Sequence, residues 1–265
     1  MNKRLLVIGG SDSSGGAGIQ ADIKTACYFG VYASTAITAI TAQNSLGVQD
    51  IKVVDEQLLK AQITSVLSDI GTDAIKIGML ALATQRTAIE QILCNYPSNL
   101  LVIDPVTQSS SGQALWQGTQ EQAIPSLWHH ATMLTPNIPE AEFLTKMPIH
   151  TVADQVHAAK KIRNLSGAKY VLVKGGHHNT DQVIDILSGP DGEEYFVQQR
   201  IDSIHTHGTG CTLASAIACG LALGQPVKNA ITEARHYISL AIDQAPGFGQ
   251  GAGPLNHCPP RLENS

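Results

Sequence analysis

The chain reads as short apolar runs separated by longer stretches with helical spacing. Leu5-Leu6-Val7-Ile8 is the first run, and it closes on Gly9-Gly10. An unbroken apolar run of this length predicts a strand buried on both faces, as in a parallel sheet. Similar runs predict strands over residues 32–40, 74–77, 100–103 and 170–173, and Met133-Leu134 ends a further short strand. Helical periodicity fills the intervals at 17–29, 55–67, 84–94, 140–145 and 153–165, and returns after Cys211 and over 229–244. Residues 183–187 and 194–197 flank Gly189-Pro190-Asp191-Gly192 and predict a hairpin. Strands and helices alternate from the start. That order predicts an α/β fold, a mainly parallel central sheet with helices on both faces. No linker or internal repeat interrupts it, so one domain is expected over 1–265, with a Pro/Gly-rich irregular tail over 246–265.

Composition narrows the function. A chain of 265 residues, 43% hydrophobic and 15% charged, can bury a substantial core. The net charge is −5 and the 17 basic residues are scattered, which argues against nucleic acid as a partner. No apolar stretch reaches membrane-spanning length, and the run at the N-terminus is too short for a signal segment. The five cysteines, at 27, 94, 211, 219 and 258, are odd in number and irregularly spaced. They predict neither a disulfide framework nor a zinc site, and point to a reducing cytoplasm.

The chemistry concentrates in HTHGTGCT at 205–212. Gly208 and Gly210 allow a tight turn into an apolar helix of small residues. The first N–H groups of a helix lack internal partners and carry partial positive charge, so the segment can hold a phosphoryl-sized anion. Cys211 sits in that field, where a thiol pKa is expected to fall and make a thiolate base. The plain alternative is a turn capped by Thr209, with an inert buried cysteine.

Other candidates follow strands. In open α/β sheets, ligands bind outside the carboxyl ends of the strands, so Gly10, Met79, Asp104, Asn137 and Lys174 are expected to share one crevice. Asp104 and Glu140 can hold Mg²⁺ or its waters, though Glu140 could equally serve its own helix start. Lys174 can neutralise a phosphate, or be a solvated strand end. Gln43 can read a heteroaromatic edge, or be a turn residue. His129-His130 and His177-His178 read as surface residues. The dinucleotide fingerprint fits poorly, because no acidic residue follows Gly16-Ala17-Gly18 at the ribose-binding distance. There is no Walker loop, no GxSxG elbow and no HExxH.

Taken together, GSDSSGGAGIQAD at 10–22, AQN at 42–44, KIGM at 76–79, DPV at 104–106, TPNIPEA at 135–141, VKGG at 173–176 and HGTGCT at 207–212 resemble the ribokinase-like superfamily. Within it they resemble the hydroxymethylpyrimidine/phosphomethylpyrimidine kinase family, in the same order and over nearly the whole chain. The resemblance implies a three-layer αβα sandwich, usually homodimeric, that transfers phosphate from ATP to hydroxymethylpyrimidine and then to its monophosphate, in thiamine biosynthesis. It implies that Gly10, Ala17, Gln43, Met79, Val106 and Cys211 surround the pyrimidine. Asp104 and Glu140 would organise Mg²⁺, and Lys174 and Asn137 would lie toward the nucleotide phosphates. Gly208, Thr209, Gly210 and the Cys211 N–H would form the anion hole, with Cys211 as base.

Two departures matter. Ser13 stands where the family usually has Pro, and Thr107 to Gly112 replaces the usual Met and Lys-Ser-Gly run near the acceptor's phosphate. The second phosphorylation rests on that altered loop. The alternatives are a pyridoxine/pyridoxal kinase of the same superfamily, a non-catalytic pyrimidine sensor and, least, a dehydrogenase.

Overall fold

Leu5, Leu6, Val7 and Ile8 are all fully buried, as strands covered on both faces require. Alternate side chains divide between two cores. Leu6 and Ile8 join one and Leu5 and Val7 the other, because successive residues of a strand point to opposite faces. The structure, a computed structural model, describes residues 2–96, 100–106, 125–178 and 180–260. The expectation for the loop at 107–112 lies outside the described residues.

The strands are β1 (Arg4–Asp12), β2 (Tyr32–Asn44), β3 (Gly47–Val53), β4 (Ala74–Ile77), β5 (Leu100–Ile103), β6 (Met133–Leu134), β7 (Tyr170–Val173), β8 (Gln182–Gly189) and β9 (Gly192–Gln199). They form one sheet in the order β3-β2-β1-β4-β5-β6-β7-β8-β9. Pairing is parallel from β2 through β7, and antiparallel for β2 with β3, β7 with β8 and β8 with β9. The helices are α1 (Gly18–Tyr28), α2 (Glu56–Ser65), α3 (Ala83–Leu93), α4 (Ile138–Thr145), α5 (Val152–Ser166), α6 (Thr209–Ala222) and α7 (Val227–Asp243). Side chains of α2 to α5 fill one core and those of α1, α6 and α7 the other. The expected three-layer α/β sandwich is the observed one.

Local chemistry accounts for several ends. Asn137 caps α4 by accepting from the Glu140 N–H at 2.9 Å, while Glu140 Oε2 accepts from the Asn137 N–H at 2.8 Å. Thr151 and Asp154 make the same reciprocal box on α5, which stops at Gly167 in the left-handed region. Small residues on α6 let α7 approach closely, and a Cβ at Gly220 would lie 2.8 Å from the Ala230 Cβ.

Two differences from expectation concern the edge by the site. Gly9-Gly10 does not end β1. The strand shifts register between Gly9 and Ser11 and runs on to Asp12, paired with Thr41. Gly47–Val53 was not expected as a strand, yet it folds back on β2 as a hairpin. Its side chains are half-buried or exposed, so it lacks the apolar run that marks the interior strands. After α7 the chain is irregular through residue 260, but it is not loose: Leu255 and His257 are buried, and Tyr237 donates to the His257 carbonyl at 2.8 Å.

Candidate active site

The strand order reverses beside β1, whose neighbours are β2 and β4. At the carboxyl ends there, a cavity of about 780 Å³ opens. It is lined by each residue singled out from the sequence: Gly10, Ala17, Gln43, Met79, Asp104, Val106, Asn137, Glu140, Lys174, Gly208, Thr209, Gly210 and Cys211. Three backbone segments meet there because they lack side chains. Gly18 and Gly208 both have positive φ, at 57° and 85°. A Cβ at Gly18 would lie 2.3 Å from Gly10 O, and one at Gly208 only 1.9 Å from Gly16 O.

Gly208 is the N-cap of α6, so Cys211 is the third residue of the helix. Thr209 is inside the helix rather than its cap, and its hydroxyl donates to Thr206 O at 2.7 Å. The expected low thiol pKa is not what the surroundings produce. Burial pushes the Cys211 thiol up to about 11, and Asp22 and Asp104 add to the push. The Lys76 ammonium and a hydrogen bond from the Gly18 N–H pull the other way without overcoming it. The sequence showed the helix end but not the carboxylates that gather behind it.

Those carboxylates are paired. Asp104 Oδ1 accepts from Lys174 Nζ at 2.8 Å and from the Thr135 hydroxyl at 3.0 Å. Burial opposes ionisation of Asp104, but Lys174 and Lys76 outweigh it and hold the carboxyl below its usual range. Asp104 in turn holds Lys174 protonated against the same burial. Both reach toward Gly210: a Cβ there would lie 3.3 Å from Lys174 Nζ and 3.5 Å from Asp104 Oδ2. Glu140 spends Oε2 on its helix cap while lining the cavity, so the two roles read for it coexist.

Several residues with no role read from the sequence also stand here. Lys76 and Asp22 form a buried ion pair under the cavity wall, joined by Ser215. Asp12 receives the Ala17 and Ser14 N–H groups and faces His207. Burial opposes the Asp12 anion, yet His207 and Ser14 bring its pKa down to about 2. Arg235 pairs with Asp185 deeper in the same cavity. A lysine inside the apolar strand Ala74–Ile77 was the available signal, since a buried cation demands a partner. His129, His130 and His177 are exposed as expected, although His177 stands on the cavity wall.

A nine-stranded, mainly parallel sheet with a glycine-led helix start beside a paired Lys and Asp is the arrangement of a ribokinase-like small-molecule kinase. Residues 12–256 match the family model described as phosphomethylpyrimidine kinase, and the chain belongs to that family. It is 44% identical over 254 residues to a thiamine biosynthesis bifunctional protein of Geobacter sulfurreducens, covering 96% of this chain and 52% of that protein. The chain thus spans about half the length of that bifunctional relative. A hydroxymethylpyrimidine/phosphomethylpyrimidine kinase of Haemophilus influenzae is 41% identical over 263 residues, covering 96% of both chains. Among solved structures, an ADP complex of Bacillus subtilis pyridoxal kinase superposes with a TM-score of 0.88 at 36% identity, covering 97% of this chain and 98% of that one.

Proposed function

We propose that the chain phosphorylates hydroxymethylpyrimidine at its alcohol and then the resulting monophosphate, with ATP as donor, in thiamine biosynthesis. The observation that carries this reading is the meeting of Cys211, at the start of α6, with Gln43, Met79 and the Asp104–Lys174 pair in one cavity. Gln43, Met79, Val106, Ala17 and Gly10 form the wall for a flat ring. The ring's hydroxymethyl oxygen faces Cys211 and attacks the γ-phosphorus. The oxygen–phosphorus bond to ADP breaks, and the alcohol proton passes to Cys211 Sγ. Gly210 and Cys211, in the first turn of α6, offer backbone N–H groups to the charge that grows on the transferred group, while the Thr209 N–H is held by Thr206 O at 3.2 Å. Lys174, beside Asn137, offers its remaining ammonium hydrogens to the nucleotide phosphates.

Magnesium suits the donors available. Asp104 and Glu140 offer hard carboxylate oxygens on one cavity, each with an oxygen already engaged by the protein. Such a set leaves an ion most of its waters and the nucleotide phosphates as ligands, which is how Mg²⁺ prefers to bind. When bound, the ion would neutralise phosphate charge. A single kinase unit over the whole chain, a cytoplasmic location and a homodimer belong to the same reading. The five free cysteines support the reducing compartment, and among the described residues no helix is long and apolar enough to cross a membrane.

The test is a coupled ADP-release assay with hydroxymethylpyrimidine, its monophosphate and pyridoxal offered separately. Turnover on the first two supports the proposal. Turnover on the first alone would place the departure at 107–112 in control of the second step, and dominant turnover on pyridoxal would replace the reading with the sister activity.

A further inference from the structure

The Gly-rich segment after α7 runs along the loops that carry the site without lining the cavity itself. Gly249, Gly251 and Gly253 alternate along it, each in a contact too close for a side chain. A Cβ at Gly249 would lie 2.2 Å from Ser45 Oγ, one at Gly251 2.3 Å from Ser45 O, and one at Gly253 2.6 Å from His205 Nδ1. The Ser45 hydroxyl accepts from the Gln250 N–H at 3.1 Å and the Gly251 N–H at 3.3 Å, so the segment starts on the β2–β3 turn. It next meets the turn before α6. The His207 N–H donates to Gly253 O at 3.2 Å, and the Gly253 N–H donates to His205 Nδ1 at 3.2 Å. Pro254 presses on the Gly16 turn, where a Cβ at Gly16 would lie 3.0 Å from the Pro254 Cβ. The segment ends on α7. The Asn256 N–H donates to Ala241 O at 2.9 Å, and the Tyr237 hydroxyl donates to His257 O at 2.8 Å.

The buried His257 ring reaches α6 just past Cys211, with Nε2 3.1 Å from the Thr212 hydroxyl. A hydroxyl both donates and accepts, so a neutral ring satisfies this pair in either tautomer. The segment thus grips α6 on both sides of its start, at His207 before it and at Thr212 after it. Between the grips lie Gly208, Thr209, Gly210 and Cys211. Gly208 and Gly210 give that turn little rigidity of its own, and the first N–H groups of the helix have no intrahelical partners to hold them. We infer that residues 249–257 form a strap, fastened by the His257–Thr212 hydrogen bond, that positions the Gly210 and Cys211 N–H groups for phosphoryl transfer. Its far end on Ser45 ties the same turn to the hairpin that carries Gln43. Neither His257 nor Thr212 lines the cavity, so both are positioning residues rather than catalytic ones. This inference rests on the kinase reading above for its kinetic consequence and adds to it a role for the tail.

The experiment measures kcat and KM for hydroxymethylpyrimidine, and Kd for ATP, on the full chain. Thr212→Val keeps the side chain's shape and loses its hydroxyl, and His257→Leu loses the ring nitrogens. Each should lower kcat by about tenfold, within the hundredfold that a misplacement of about 1 Å can cost. The pyrimidine KM and the ATP Kd should stay within about twofold of wild type, because the strap touches neither ligand. His257→Gln, which keeps a hydrogen-bonding group facing Thr212, should recover most of kcat. The Thr212 amide, bonded to Gly208 O at 2.9 Å, should exchange its hydrogen faster in the valine and leucine variants. A kcat within twofold of wild type in both folded variants would overturn the inference. So would a rise of KM and Kd in step with the fall of kcat, the mark of a merely structural loss. A further measurement needs no variant and no substrate. In the unmodified protein the His207, Gly251 and Gly253 amides should be protected from hydrogen exchange, and exchange at the open-chain rate would overturn the strap even if the variants fail to fold. Absence of any wild-type turnover on the aminopyrimidine would instead refute the kinase reading, with the exchange rates still deciding whether the strap holds the turn.

Discussion

Lys76 Nζ lies 2.9 Å from both carboxylate oxygens of Asp22, and the two side chains are 1% and 0% exposed. Ser215 is a second donor and makes the third hydrogen bond to the same carboxylate, at 2.6 Å. Burial raises the Asp22 pKa above its usual value, and the Lys76 ammonium and the Ser215 hydroxyl pull against that rise. The partner carboxylate more than offsets the pull of burial on the ammonium, so Lys76 stays protonated. Removing one member strands a buried charge. Lys76→Met should therefore cost about 3–5 kcal/mol in urea unfolding, and the double change with Asp22→Asn should recover much of it. A single variant as stable as wild type would contradict the ion pair.

The same ammonium faces the thiol. With its pKa pushed up to about 11, Cys211 is mostly protonated at neutral pH. A base must be deprotonated to act, so its active fraction grows as pH rises toward that value. We expect kcat/KM for the pyrimidine to climb steadily through the neutral and mildly alkaline range, measured in overlapping buffers at constant ionic strength. Cys211→Ala should lower turnover on the order of a hundredfold or more while leaving the ATP Kd nearly unchanged. A flat profile together with an active alanine variant would remove Cys211 from the role of base.

Acid stability depends on the tail. Burial brings His257 down to about 4 from its ordinary 6.5, and its Nε2 sits 3.1 Å from the Thr212 hydroxyl. Between those values the unfolded chain takes up a proton that the folded chain refuses, so stability falls as pH drops through the window. The linkage amounts to about 3 kcal/mol across it. Asp12, with a pKa near 2, adds a second loss in the same direction as pH falls from its usual 3.8 toward 2. Urea midpoints measured from pH 7.5 to 4.5 should decline in wild type and decline less in His257→Gln. Equal slopes would mean that His257 is not the group responsible.

The interlock of Gly16 with Gly208 gives the sharpest steric prediction. At Gly208 an L-residue meets both an unfavourable φ of 85° and a backbone oxygen 1.9 Å from its Cβ. Gly208→Ala should lose more than the roughly 1 kcal/mol of backbone strain alone, and should shift the start of α6 away from the cavity. Activity should fall even in the fraction that folds, as read by turnover per native molecule after size-exclusion separation. Full activity would mean that the turn tolerates a wider spacing than the structure allows.

How much of this was legible in the chain follows from the range of the forces involved. The interior strands β4, β5 and β7 were readable to the residue, because burial on both faces leaves short apolar runs, broken only by Lys76 in β4; of β6 only the end at Met133-Leu134 was readable. The β2–β3 hairpin was not, because its exposed edge tolerates polar residues. The glycines before Cys211 announced a tight turn into a helix start from local geometry alone. The raised thiol pKa was hidden, since it arises first from burial and then from Asp22 and Asp104, all set by parts of the chain distant from Cys211.

The order of elements, the apolar cores and the identity of the chemistry-bearing loops were thus determined by the sequence itself, since each depends on neighbours a few positions away. Which charges face each other and how the thiol is biased were decided only by the tertiary structure. Those properties come from Coulomb and hydrogen-bond partners as far apart as Asp12 and His207, 195 positions along the chain. Only closure of the sheet brings such partners within reach.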